Sequence, residues 1–369
     1  MTDRASEAPR LSGALPNPAE AGPPTDSYSD ARVEPPSGCL RPVAHSGARA
    51  PYRGPAWLAG GHAQTIWPYL LPRPAVRYRH ERVDTPDGDF WDFDWVDVAD
   101  IGAAKPLVVL LHGLEGGSDS HYARALMAAV TTLGWRGVIP HFRGCGGEPN
   151  RLPRAYHSGD FAELDAILAA IRDRVTAETN IYAVGVSVGG SVLINWLGRM
   201  QRDAARVITA AAAVSTPLDL TSAGIAIGQG FNRIYTHNFL STLRPKSLAM
   251  AKRFPGLLDE SKVLRVRTMY DFDDAVTAPL HGFADGADYW RRASSKPWLA
   301  SVAVPTLVLN ARNDPFVPHA SLPISRDVSR EVLLEQPDDG GHAGFLAGPF
   351  PGKLGWLPRR LLDFFIHRR

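Results

Sequence analysis

Cysteine is scarce in this chain: 369 residues hold two, Cys39 and Cys145. One falls in a proline-rich stretch and the other between glycines, so a disulfide framework is not expected, and such sparse usage fits a reducing compartment. An excess of charge is lacking as well. Forty Lys and Arg stand against 38 Asp and Glu, for a formal net charge of +2. The two signs are interspersed, so no basic face is expected to attract nucleic acid. The chain has no G-x-x-x-x-G-K-[ST], no H-E-x-x-H and no C-x-x-C, and its twelve histidines are dispersed; neither a metal nor an organic cofactor is expected. Long hydrophobic runs are missing too. No apolar core follows the polar segment Met1 to Glu7 within the first thirty residues, which argues against a secretory signal. The one uncharged run long enough to raise the question of a membrane span, residues 181–198, is interrupted by glycines, serines and Asn195. It reads as a buried strand followed by a buried helix. The expectation is a cytoplasmic protein with no integral span. Peripheral contact with a membrane surface and the oligomeric state are left open.

What is present is an ample core, with 44% apolar residues, and a change of texture along the chain. Residues 1–50 are rich in Pro, Ala and Gly and show little apolar periodicity, so they are expected to form a disordered tail. Residues 51–369 read as one domain. An early segment, Gly60-Gly61-His62-Ala63-Gln64-Thr65-Ile66-Trp67-Pro68, is too distinctive for a linker and is expected to pack on the domain edge, with His62 taking no direct part in chemistry. Two strand-like runs, Val76 to Val83 and Phe90 to Val98, flank Thr85-Pro86-Asp87-Gly88, and Asp-Gly is a hairpin signal. The alternation of Phe90, Asp92 and Asp94 with Trp91, Phe93 and Trp95 suggests one polar and one buried face at an antiparallel sheet edge.

From Leu107 the pattern becomes strand, helix, strand. Leu107 to Leu111, Gly137 to Pro140, Ile181 to Val184, Val207 to Val214, Thr306 to Asn310 and Val332 to Leu334 read as buried strands. Ser120 to Leu133, Asp160 to Val175 and Trp356 to His367 read as helices. This predicts an α/β fold: a mostly parallel central sheet with helices on both faces and antiparallel N-terminal edge strands. Residues 217–300, divided by Pro245, Pro255, Pro279 and Pro297, are expected to form a helical cap insertion over the carboxyl ends of the strands. Ala223 to Ile234, with Phe231, Tyr235, Phe239 and Tyr270, are its candidates for lining an acyl pocket, although simple helix packing explains them equally well.

Gly185-Val186-Ser187-Val188-Gly189-Gly190 joins a strand to a helix. This is the G-x-S-x-G elbow, whose tight turn presents a serine at its apex and needs small neighbours. A serine hydroxyl needs a basic histidine, and the histidine needs an orienting carboxylate. On an α/β-hydrolase fold these follow in the order Ser, acid, His. Asp314 lies just past one buried strand and His342 just past the next, on a glycine-flanked loop. Asp273, Asp274 and His319 compete for these roles but lack the preceding strand, and Asp338 and Asp339 read as a solvated turn. For the oxyanion the expected donors are the backbone N–H groups of Val188, after the nucleophile, and Leu114, in the His112-Gly113-Leu114 loop. His112 is expected to hold that loop by hydrogen bonds. Cys145 is expected to sit in a tight glycine turn rather than to act as a reactive thiol.

These motifs, with Phe142-Arg143-Gly144-Cys145-Gly146-Gly147, Asp288-Tyr289-Trp290, Asn313-Asp314-Pro315 and Gly341-His342-Ala343-Gly344, resemble those of the YheT-like α/β-hydrolases. That group also includes the eukaryotic lung-type α/β-hydrolase-domain proteins. The resemblance runs from about residue 55 to 367. It implies the α/β-hydrolase fold, a charge-relay triad on Ser187, Asp314 and His342, and carboxylic ester hydrolysis through an acyl-enzyme. Short- to medium-chain acyl esters or lipids are the implied substrates. Acyl transfer to an alcohol would use the same residues. A binding protein without catalysis is the alternative from another class, and an intact triad argues against it.

Overall fold

A computed structural model of the chain describes residues 52–96 and 105–367. The tail expected over residues 1–50, with Cys39, lies outside them, as does Val98. Eight strands form one sheet in the order β1-β2-β4-β3-β5-β6-β7-β8: β1 Arg79–Asp84, β2 Phe90–Val96, β3 Leu107–Leu111, β4 Arg136–Pro140, β5 Ile181–Val186, β6 Ala210–Val214, β7 Thr306–Leu309 and β8 Val332–Glu335. The first two pair as a hairpin, β2 runs antiparallel to β4, and every other pairing is parallel. This is the mostly parallel α/β architecture with antiparallel N-terminal strands that the strand–helix rhythm predicts.

The continuous apolar runs are explained by two-sided burial. In β3, Leu107, Val109 and Leu111 pack with α3 (Phe161–Arg172) and α4 (Val188–Met200). Val108 and Leu110 face the other way, onto α2 (His121–Thr132) and the C-terminal helix Trp356–Ile366. All five are fully buried, and each such side chain contributes roughly 1.5–3 kcal/mol.

The hairpin departs from expectation in one respect. The edge strand is β1, and β2 is interior, so its supposed polar face is covered. Asp92 is buried against Arg82, which donates to both carboxylate oxygens at 2.8 and 3.0 Å. Asp94 accepts from His141 Nε2 at 2.8 Å.

The segment at residues 61–70 is also more than edge packing. It is a helix, α1 (Gly61–Leu70), with Gln64 and Thr65 buried. Its Trp67 does join Trp57 and Phe350 in an aromatic cluster.

Between β6 and β7 the regular elements of the described chain are all helices, including α5 (Leu220–Ile227) and α6 (Arg233–Arg253). These helices stand over the end of β5 and wall the cavity described next.

Candidate active site

Ser187 sits between β5 and α4 with φ 55° and ψ −120°, a strained setting that persists only where the surroundings over-determine it. The surroundings do so through contact. A Cβ on Gly189 would lie 2.4 Å from Leu111 O, and one on Gly190 would lie 2.0 Å from Thr216 Oγ1. Only glycine lets α4 approach β3 and the end of β6 so closely. Val188 opens α4, and the first N–H groups of a helix have no intrahelical acceptor.

The loop after β3 lies against the serine: a Cβ on Gly113 would sit 3.2 Å from Ser187 Cβ. Gly113 N–H donates to Tyr122 Oη at 2.9 Å, Glu115 N–H to Tyr156 Oη at 2.8 Å and Gly116 N–H to Gly113 O at 3.0 Å. In this run Leu114 N–H is the one with no acceptor among the described residues, and Leu114 lines the cavity together with Ser187 and Val188. His112 is fully buried, and burial pushes its imidazole down to about 3. It is therefore neutral, donating from Nδ1 to Gly113 O at 2.8 Å and accepting from Phe142 N–H at Nε2. That is the loop-holding role expected of it.

Asp314 follows β7 and His342 follows β8, and the structure brings them together. His342 Nδ1 lies 2.9 Å from Asp314 Oδ2, and Asp314 Oδ1 accepts from Phe316 N–H at 2.8 Å. The His342 ring packs on Phe316 with centroids 4.3 Å apart and lines the same cavity as Ser187. No hydrogen bond joins Ser187 Oγ to the imidazole among the described residues. Such contacts are commonly long without substrate and tighten in the reacting complex.

The competing residues lie elsewhere. His319 meets Arg312. Asp273 is buried in the cap, where Trp290 Nε1 and Thr277 Oγ1 donate to it, each at 2.7 Å. Asp338 is exposed, but Asp339 is not the solvated turn residue expected: it accepts from Gly54 N–H and Gln64 Nε2.

The cavity has a volume of about 540 Å³ and is mostly apolar. Ala223, Gly224, Ile227 and Phe239 line it, as the sequence suggested. Phe231, Tyr235 and Tyr270 do not. Phe231 is half exposed, Tyr235 packs on Phe316, and Tyr270 meets Trp290 edge to face. Leu243, Met250, Val276 and Trp290 line it instead. No local signal distinguished them, because a pocket wall and a helix–helix contact use the same apolar spacing.

Lys246 of α6 pairs with Glu115 at 2.7 Å and donates to Gly144 O at 2.9 Å, so the cap is tied to the loop beside the serine. Cys145 lies on that loop's flank, and burial pushes its thiol up to about 12; it stays protonated and unreactive at neutral pH. Arg143, in the same glycine-rich turn, is buried among Asp87, Asp89 and Glu163. A buried guanidinium with three carboxylates accounts for that motif without any catalytic part.

Among the described residues no cluster of His, Cys, Asp or Glu could hold a metal ion, and no helix is long and apolar enough to cross a membrane.

Comparison with known proteins agrees with this fold. The family profile described as "alpha/beta hydrolase fold" matches residues 106–349. The chain is 36% identical over 306 residues to "Putative esterase YheT" of Escherichia coli (strain K12), covering 82% of this chain and 89% of that protein. It is 28% identical over 321 residues to "Phospholipase ABHD3" of Homo sapiens, covering 85% and 78%. Among solved structures, a Pyrococcus furiosus esterase, Pf2001, superposes with a TM-score of 0.51 at 18% identity, covering 80% of this chain and 97% of that one. Est1E from Butyrivibrio proteoclasticus, with ferulic acid bound, superposes with a TM-score of 0.50 at 17% identity, covering 78% and 98%. These two structural likenesses bear on the fold alone.

Proposed function

Because the chain belongs to the α/β-hydrolase family, and within it to the YheT-like group, we propose that it is a serine carboxylic ester hydrolase working through an acyl-enzyme on short- to medium-chain acyl esters. The observation that carries this reading is the convergence on one apolar cavity wall of a strained serine and a carboxylate-bound imidazole. Ser187 Oγ attacks the ester carbonyl carbon while His342 Nε2 takes its proton. Asp314 holds the Nδ1–H and stabilises the imidazolium. The carbonyl oxygen, now an anion, accepts from the N–H groups of Val188 and Leu114. Collapse of the tetrahedral intermediate expels the alcohol, which receives the proton from His342. Water then repeats the sequence on the acyl-enzyme and frees the acid. Leu243, Met250 and Val276 supply apolar contact for an acyl chain, and a cavity of about 540 Å³ suits a ligand of drug-like size.

The test is hydrolysis of a p-nitrophenyl ester series from acetate to octanoate by wild type and Ser187→Ala, with fluorophosphonate labelling alongside. The expected result is turnover and labelling by wild type only. Equal turnover by both proteins would overturn the reading.

A further inference from the structure

The start of α1 lies outside the cavity wall, yet it touches both loops on which the proposed acid and base sit. Gln64 uses its whole hydrogen-bonding capacity there. Its Oε1 accepts from Gly340 N–H at 2.7 Å and from Asn313 Nδ2 at 2.9 Å. Its Nε2 donates to Leu58 O at 2.9 Å and to Asp339 Oδ1 at 3.2 Å. One buried amide thus joins the residue before Asp314 to the loop leading into His342. Thr65 acts on His342 directly: its Oγ1 accepts the His342 backbone N–H at 2.9 Å and donates to Gly61 O at 2.7 Å. The two loops also clasp each other, through Gly341 N–H to Asn313 Oδ1 at 2.9 Å.

The packing is at backbone distance. A Cβ on Gly61 would fall 1.8 Å from Asn313 O, and one on Gly344 would fall 2.1 Å from Gln64 O.

The histidine loop needs such support. Ala343 and Phe345 have φ of 55° and 40°, left-handed values that cost a non-glycine residue of order 1–3 kcal/mol each and persist only when neighbours impose them. A free loop would relax, and the His342 ring would turn away from Asp314 Oδ2 and from the serine.

We propose that Gly61-His62-Ala63-Gln64-Thr65 is a positioning splint for the catalytic pair: Thr65 sets the backbone of His342, and Gln64 fixes the spacing between the Asp314 and His342 loops. The inference rests on the esterase reading and gives the motif a role that neither the elbow nor the cavity supplies. None of its side chains needs to touch substrate. Misplacement by about 1 Å from a site remote from the chemistry is enough to cost on the order of a hundredfold in rate.

The experiment compares Thr65→Val, which keeps the shape and removes the acceptor, with Thr65→Ser, which keeps the acceptor, and with Ser187→Ala, on p-nitrophenyl butyrate. Thr65→Val is expected to lower kcat about a hundredfold with KM little changed, the mark of an interaction expressed in the transition state. Thr65→Ser is expected to stay close to wild type. A folded Thr65→Val with wild-type kcat overturns the proposal, and so does an equal loss in the Ser and Val variants, which would mean packing alone. An active Ser187→Ala would overturn the esterase reading instead. Hydrogen exchange on the unaltered protein provides a readout that does not depend on the variants folding. The His342 amide is expected to be protected, and exchange at the rate of an open loop amide overturns the proposal.

Discussion

His342 Nδ1 lies 2.9 Å from Asp314 Oδ2 across 28 positions of sequence, and the Asp314 side chain is completely buried. Its second oxygen is already engaged by Phe316 N–H, so the carboxylate has one orientation. In Asp314→Asn the amide oxygen can keep the Phe316 bond while its NH₂ turns toward His342. An NH₂ group forces Nδ1 to accept, which leaves the proton on Nε2, where the serine's proton must go. The expected outcome is a loss in kcat of about a thousand- to ten-thousandfold with the unfolding midpoint close to wild type. Steady-state kinetics with a parallel denaturation curve would check it, and a loss below tenfold would contradict the assigned role.

Arg143 concerns stability rather than chemistry. It is buried, with Nη1 2.9 Å from Asp89 and Nε 2.6 Å from Glu163. Both acids are themselves buried, and Glu163 also accepts from Trp91 Nε1. Replacing Arg143 with Met takes the guanidinium from buried Asp89 and leaves Glu163 with the more exposed Arg154 at 3.3 Å, a broken buried pair that costs about 3–5 kcal/mol. Lysine is expected to rescue only part of this, since one ammonium cannot reproduce a fork of donors. Urea denaturation would show it as a lower midpoint in Arg143→Met, with Arg143→Lys between the two. An unchanged midpoint would mean that the cluster contributes nothing.

Asp273 predicts a pH dependence. Burial raises its carboxyl from an ordinary 3.8 to about 6, although Thr277 and Trp290 donate to it and oppose the shift. Between about pH 4 and 6 the folded chain keeps a proton that the unfolded chain has lost. This group's contribution to stability is therefore full below about pH 4 and is lost as the pH rises through 6. The difference amounts to roughly 2–3 kcal/mol. Other carboxylates impose their own slopes, so the informative quantity is wild type minus Asp273→Asn. That difference is expected to fall from pH 4 to 6 and then level off. Denaturant midpoints at four pH values would measure it, and parallel curves would rule it out.

Fold and elbow were legible in the sequence because both are written in local terms. The run Leu107 to Leu111 is apolar at every position because the strand is covered on both faces, and Gly189 and Gly190 flank Ser187 because any side chain there would strike Leu111 O or Thr216 Oγ1. Asp314 and His342 could be chosen over Asp273 and His319 from their places after strands, since a parallel sheet delivers successive strand ends to one edge. Where β2 lies was not legible in this way. An alternating strand looks alike at a sheet edge and one position in, and only the partner strands and the salt bridge to Arg82 decide that Asp92 is buried.

The cap and α1 mark the same boundary. Phe231 and Tyr235 have the composition of pocket residues yet lie outside the cavity wall, and the segment of Gln64 and Thr65, expected only to pack on the domain edge, is a helix with both residues buried against the loops of Asp314 and His342. A side chain's own chemistry states what it can bond to. Which partner it meets depends on chain segments hundreds of residues away, as when Gln64 reaches Gly340 across 276 positions. The sequence alone thus determined that Ser187, Asp314 and His342 each follow a buried strand and that glycine is demanded around Ser187, because steric exclusion and strand periodicity act between near neighbours. Tertiary structure alone decided which apolar residues wall the cavity and which helix braces the histidine loop, because those contacts exist only once distant segments have packed.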